Sequence, residues 1–401
     1  METASQAALA TPILDSAILP KRRRNSANIG YGILLGIPAA MALIAASRTA
    51  RETHSPAANF IVITYLLSFV TAVIAHELGH LLVGFAVGFR FNSFTIGPVS
   101  LFLEYGKLKL KIRRTLPAGG YAGMHLNRIW QMRRRLLLFS FGGPGANLLS
   151  AAFTYAFFAF IPMTGTWLST FADLFVMISL LLGVANLIPF RLGVLYPDGA
   201  RIWMLLTSRA KSRRWMCLAA LGWQSQAGVR SRNFHRTWVN AAGIVSDGTV
   251  DEFAGNWIGY VSASDRKDAP AAASHLERCL QFIGLFGPTL RDTVALEAAV
   301  FTAWFRRNSD AAQKWLAQVN HQKALSPLAQ IRAEIALQTA RHAYADALTR
   351  WEDAFSFVEK LPPTPVKAKL RDGFLEWRDE IKQREREFLA AQNPDQLAAV
   401  K

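Results

Sequence analysis

The sequence predicts a mainly α-helical, polytopic membrane protein with a small β-hairpin insert, followed by a soluble all-α helical-repeat domain. Three features carry that prediction. Residues 29–190 are dominated by apolar runs, about four of them long enough for a helix to cross a bilayer, which takes about 20 residues. Inside that region, Lys107 to Ile112 alternates lysine with aliphatic residues, the period of a half-exposed strand. Beyond about Met204 the chain turns charged and alanine-rich, with Trp and Leu at helical spacing. The expected organisation is an N-terminal cytoplasmic tail at 1–28, a membrane domain at 29–204 and a soluble helical domain at 205–401.

Residues 1–20 read as poorly ordered, and Lys21-Arg22-Arg23-Arg24 then precede a first apolar span at 29–46. A cleaved signal peptide is the alternative for that span. The run is longer than the ~7–15 residues of a signal-peptide apolar region, and its basic flank starts late, which favours an uncleaved helix. A polar connection at 48–55 leads to a second span at 57–88, longer than a crossing needs. Gly97-Pro98 and Gly106 are turn signals that fold 91–114 into a hairpin or small sheet, and a glycine-rich bend follows at 116–124. The third span runs over 136–162, behind Arg133-Arg134-Arg135, and the fourth over 171–187.

The chain carries 45 Lys and Arg against 28 Asp and Glu, a formal net charge of +17. Such a balance invites nucleic acid, but the densest basic clusters flank apolar segments and no nucleic-acid motif accompanies them. They read instead as topogenic and lipid-facing. Lys21 to Arg24 precede the first span and ten Lys or Arg lie between the second and third, whereas the other two connections have few or none. By the positive-inside bias, both termini are cytoplasmic in a multi-pass protein of the cell (inner) membrane. Cys217 and Cys279 are the only cysteines, so neither a disulfide framework nor a cysteine metal site is indicated.

The second span contains Val73-Ile74-Ala75-His76-Glu77-Leu78-Gly79-His80-Leu81-Leu82. On a helix, His76 and His80 are four apart and present both imidazoles on one face, where they can share a metal ion. Glu77 lies about 100° round from His76, within reach of a water held by that metal but outside its ligand set. Neutral imidazoles suit zinc, whose catalytic sites keep three protein ligands and one water. No charged residue occurs between Phe60 and Ala75, so this is no solvated helix face. Burying two His and a Glu in apolar surroundings costs several kcal/mol unless they are paired or metal-bound.

A third ligand must come from the same depth. Asp173 opens the fourth span on the far side, roughly 20 Å of helix from Asn186 at 1.5 Å per residue. Asp198 follows the inner end of that span, where Pro189 and Pro197 break the helix. Irregular backbone at such a depth is tolerated where it lines a cavity. Asp198 is the geometrically consistent ligand, with an ordinary Asp-Gly turn as the alternative.

Four stretches in order, His76-Glu77-Leu78-Gly79-His80, Leu116-Pro-Ala-Gly-Gly-Tyr-Ala-Gly-Met124, Phe141-Gly-Gly-Pro-Gly-Ala-Asn147 and Asn186…Pro189…Asp198-Gly199, resemble the site-2 protease family of intramembrane zinc metalloproteases (peptidase family M50). The resemblance covers about residues 57–205. It implies one Zn2+ per chain held by His76, His80 and Asp198, with Glu77 as general base. It further implies that the hairpin and Gly119-Gly120 lie against the active site, and that Asn186 and Asn147 position the substrate or the site backbone. The stretch from Asn186 to Asp198 is longer here than is usual in the family. The implied activity is cleavage of a transmembrane protein within or near its membrane-spanning segment, in the lipid bilayer. The strand at 107–112 would offer unpaired backbone groups to an unwound substrate. The rival reading is a proteolytically inactive scaffold acting on a cytoplasmic protein partner through its helical domain. The intact set of His76, Glu77, His80 and Asp198 weighs against it.

A faint repeat marks the C-terminal region. Ala272-x3-Leu276-x2-Cys279, Ala311-x3-Trp315-x2-Gln318 and Ala347-x3-Trp351-x2-Ala354 each place a small residue four before a large one. Their spacings lie near the 34 residues of tetratricopeptide repeats, and Pro362-Pro363 closes the last unit. A divergent tetratricopeptide-like array and a generic helical bundle both fit.

Overall fold

The structure, a computed structural model, describes residues 11–21, 40, 43, 44, 47, 48, 51, 52, 54, 60–112, 119–161, 166–190, 196–321 and 325–392. Most of the apolar run at 29–46 and all of 191–195 lie outside the described residues. The chain divides into two compact units, Asn25–Trp223 and Met1–Arg24 with Gln224–Lys401. Two further helices after the last apolar span pack with the apolar unit.

In that unit, α2 (Ile61–Ala86), α3 (Met132–Phe160) and α4 (Trp167–Leu187) are long and apolar enough to cross a membrane. Each packs on both others. Ala72 of α2 is enclosed with Leu174, Phe175 and Ile178 of α4. Their outward faces carry exposed Leu66, Leu67, Leu149, Phe153 and Phe160, which suits hydrocarbon surroundings. The α2 and α3 backbones touch: a Cβ on Gly79 would stand 2.3 Å from the carbonyl oxygen of Gly142, and one on Gly142 2.7 Å from that of Gly79. Small residues at such a crossing let helices approach closely in lipid. Two short helices, α5 (Asp198–Thr207) and α6 (Arg209–Gln226), follow.

The expected hairpin is a four-stranded antiparallel sheet in the order β3-β2-β1-β4, built from β1 (Phe89–Ile96), β2 (Val99–Glu104), β3 (Lys107–Ile112) and β4 (Gly120–Leu126). The glycine-rich bend at 116–124 is thus in part an edge strand. Gly120 and Gly123 weaken a strand by composition, but a side chain at either would collide with Glu77 or Ser93. Arg135, expected to be only a topogenic charge, is a buried residue of α3. It donates to the carbonyls of Val87, Gly88 and Arg128 and to Asn127 Oδ1, tying the end of α2 to the sheet.

The other unit contains α7 (Arg236–Gly243) and three consecutive helix pairs: α8 (Val250–Asp265) with α9 (Ala269–Phe282), α10 (Pro288–Trp304) with α11 (Ser309–Leu316), and α12 (Pro327–Ala340) with α13 (Tyr344–Glu359). A long α14 (Pro365–Gln392) packs on α13. The Ala, Leu and Trp positions noted in the sequence fall in the second helix of each pair, an arrangement that a generic helical bundle shares with a tetratricopeptide-like array. The turn of each pair also holds one residue in the left-handed region, Lys267, Arg307 or His342. Part of the stretch 1–20, expected to be poorly ordered, is among the described residues. It includes α1 (Pro12–Ser16), which packs on α9.

Trp315 is fully buried in this core. Trp315→Ala is expected to cost about 3–5 kcal/mol through lost burial and the cavity left behind. Thermal melting of the solubilised protein, followed by far-UV circular dichroism, should register a lower midpoint. An unchanged midpoint would show that the core is not organised around Trp315.

Candidate metal centre

His76, Glu77 and His80 occupy little more than one turn of α2, and each is less than 10 % exposed. Asp198 begins α5. The fold brings them together: His76 Nε2 and His80 Nε2 stand 3.1 and 3.4 Å from Asp198 Oδ2. Tetrahedral zinc ligands at bond lengths of about 2.0–2.1 Å stand about 3.3 Å apart. The donor set and its spacing therefore fit a zinc ion. Among the described residues this is the one cluster of His, Cys, Asp or Glu with such convergence. Asp173 is exposed on α4 and lies outside it.

The neighbouring backbone fixes which ring nitrogen faces inward. His80 Nδ1–H donates to the carbonyl of Phe139 at 2.7 Å, which leaves Nε2 as the inward donor. Behind His76, the Asn147 Nδ2 atom lies 3.4 Å from Nδ1, while the fully buried Oδ1 has no partner. Turning the amide by 180° exchanges its two ends. His76 Nδ1–H then donates to Oδ1, the orphaned oxygen is satisfied, and Nε2 stays aimed at Asp198. Gly143 leaves the space in front of both rings open, since a Cβ there would stand 2.3 Å from His80 Nε2 and 2.7 Å from His76 Nε2.

Glu77 is held from the other side by β4. The Ala122 backbone N–H faces its carboxylate, and a Cβ on Gly120 would stand 2.4 Å from Glu77 Cγ. Gly119 has open space around its Cα, so of the two glycines Gly120 makes the close approach. Asn186 lies in the last turn of α4, and the bare Cα of Gly199 lets the first turn of α5 abut the carbonyls of Asn186 and Leu187, with a Cβ only 2.8 and 2.2 Å from those oxygens. Gly143, the Phe139 carbonyl and the Ala122 amide escaped the sequence reading. Gly143 lies in a run whose composition signals close packing, and the other two act through backbone atoms that any residue supplies.

Together these elements form a cluster on a membrane-type helix that could hold a metal ion, with an adjacent carboxylate. Residues 64–167 match the family model of Peptidase family M50 and form a domain of that family, the site-2 protease family. That match contains His76, Glu77, His80, Gly119, Gly120 and Asn147 but ends before Asp198, whose place in the cluster rests on geometry. Comparison with curated proteins and with solved structures gave no match.

Proposed function

We propose that the protein is an intramembrane zinc metalloendopeptidase that cuts membrane-protein substrates within or beside a transmembrane segment. The observation that carries this reading is the meeting of His76 and His80 with Asp198, 122 residues away, beside the Glu77 carboxylate. His76 and His80 would hold the ion through Nε2 and Asp198 through Oδ2. Zinc in that position supplies a Lewis acid for the scissile carbonyl and acidifies a water. Glu77 takes the proton of the attacking water and passes it to the leaving nitrogen, and the Ala122 N–H keeps its carboxylate in place.

A substrate helix hides its carbonyls in its own hydrogen bonds and must unwind before attack. An unwound segment needs a strand edge to satisfy its backbone. The sheet has two edges, β3 and β4. β3, expected from its alternation to be the docking edge, lies beyond β2 and β1, whereas β4 passes over Glu77. We therefore assign substrate pairing to β4. Cells producing Glu77→Gln protein should accumulate uncut membrane proteins that wild-type cells convert to fragments. Identical membrane-protein fragments in both strains would refute the reading.

Asn147 is assigned as a positioning residue for His76. Asn147→Leu should weaken zinc retention roughly 10–100-fold in chelator competition, the usual cost of losing a ligand's supporting hydrogen bond. Asn147→Asp, which keeps an acceptor oxygen, should retain most of it. Normal zinc affinity combined with a raised KM in Asn147→Leu would instead favour the substrate-positioning role that the resemblance implies.

Both termini are assigned to the cytoplasm. The basic connections support this, and the packing of α1 on α9 supports an even number of crossings between the N-terminal segment and the C-terminal unit. Three apolar helices and the run at 29–46 make the even count this requires. Cys217 and Cys279 are buried and make poor reporters. An exposed thiol from Ala391→Cys should stay unlabelled by an impermeant reagent in sealed cells and react after permeabilisation. Labelling in sealed cells would reverse the assignment.

A further inference from the structure

The N-terminal segment 11–19 sits on the C-terminal unit as a peptide sits on a receptor. Leu14 is fully buried in the same core as Leu276, Leu280 and Trp315, and Ala17 is buried with it. The N–H groups of Ile13 and Leu14 donate to the two carboxylate oxygens of Glu277, at 3.1 and 2.9 Å. The Gln318 side chain accepts from the Leu19 N–H at 2.6 Å and donates to the Ala17 carbonyl at 2.7 Å. Arg306 pairs with Asp15 and donates to the Thr11 hydroxyl at 2.9 Å.

Two properties separate this contact from ordinary core packing. Glu277 is 3 % exposed, and among the described residues these two N–H groups are its only hydrogen-bond partners. The segment thus supplies, in place of water, the hydrogen bonds this carboxylate makes among the described residues. Moreover, Glu277 and Gln318 address only main-chain atoms, so side-chain selectivity rests on the fully buried Leu14, the lesser apolar contacts of Ile13, Ala17 and Leu19, and the polar pair Thr11 and Asp15. Main-chain capture with one apolar anchor is how grooves take short peptides.

We propose that the C-terminal unit carries a peptide-binding groove, with Glu277, Arg306 and Gln318 around the Leu14 pocket, and that the chain's own segment 11–19 is its tethered, exchangeable ligand. The ligand class is a single helical turn with free N-terminal amides, a leucine anchor and an acidic residue next to it. Being part of the same chain makes the segment's binding intramolecular, so modest intrinsic affinity suffices to keep the groove filled. This inference goes beyond the proteolytic reading and does not depend on it.

The test uses the detergent-solubilised full chain, a chain lacking residues 2–21, and a fluorescent peptide of residues 9–21. The peptide should bind the truncated chain saturably, and at least tenfold more weakly the full-length chain, whose groove is filled. A Leu14→Asp peptide should lose at least tenfold on the truncated chain. Should truncation reduce the helical circular-dichroism signal, full-length Leu14→Asp protein, which releases its own segment, serves as the receptor and should bind the wild-type peptide. Equal binding to filled and emptied chains, or none to a folded emptied chain, would overturn the proposal. Unfolding of both emptied chains would overturn it too, by making the segment an inseparable part of the core.

Discussion

Glu77→Gln is expected to lower cleavage by about 10²–10⁴-fold, the range contributed by a positioned general base, while leaving zinc bound. The glutamine is isosteric and keeps an oxygen for the Ala122 N–H, so β4 should stay where it is. It cannot accept a proton from the attacking water. The two imidazoles and Asp198, which converge independently of Glu77, keep their geometry. Metal analysis of purified wild-type and variant protein should therefore give equal zinc, with cleavage of a co-reconstituted substrate present only in the wild type. Undiminished cleavage by the variant would remove Glu77 from the mechanism.

The second large effect concerns the third ligand. Zinc held by about four ligands binds with roughly 10–16 kcal/mol, so loss of one ligand corresponds to a weakening of about a hundredfold or more. Asp198→Asn should show that loss in chelator competition, because Oδ2 is the oxygen that faces both Nε2 atoms. Asp173→Asn should retain zinc, since Asp173 is exposed on α4 and outside the cluster. The reverse pattern would transfer the ligand role to Asp173 and invalidate the depth argument that selected Asp198.

What could be read from the sequence follows the range of each interaction. His76, Glu77 and His80 are a local helical pattern, and local periodicity survives folding. Asp198 required the further step of matching membrane depth. The helical character of the C-terminal region was visible because Ala and a large apolar residue, Leu276, Trp315 or Trp351, recur four apart on helices, but the same pattern fits a bundle as well as a repeat array. β4 was hidden by its glycines, whose absence of side chain suits the contact with Glu77 and contradicts strand propensity. The role of Asn147 depends on a ring 71 residues away. The docking of 11–19 depends on partners more than 260 residues away, whose backbone-directed contacts leave no pattern in the segment itself.

One reconstitution addresses the central claim most directly. A membrane protein that accumulates uncut in the Glu77→Gln strain would be placed in proteoliposomes with wild-type enzyme, and its fragments mapped by mass spectrometry. The expected result is a cut within or next to its transmembrane segment, lost on treatment with a zinc chelator and restored by added Zn2+. Cleavage that persists in the chelator, or that is equally rapid with Asp198→Asn enzyme, would contradict a catalytic zinc centre built from His76, His80 and Asp198.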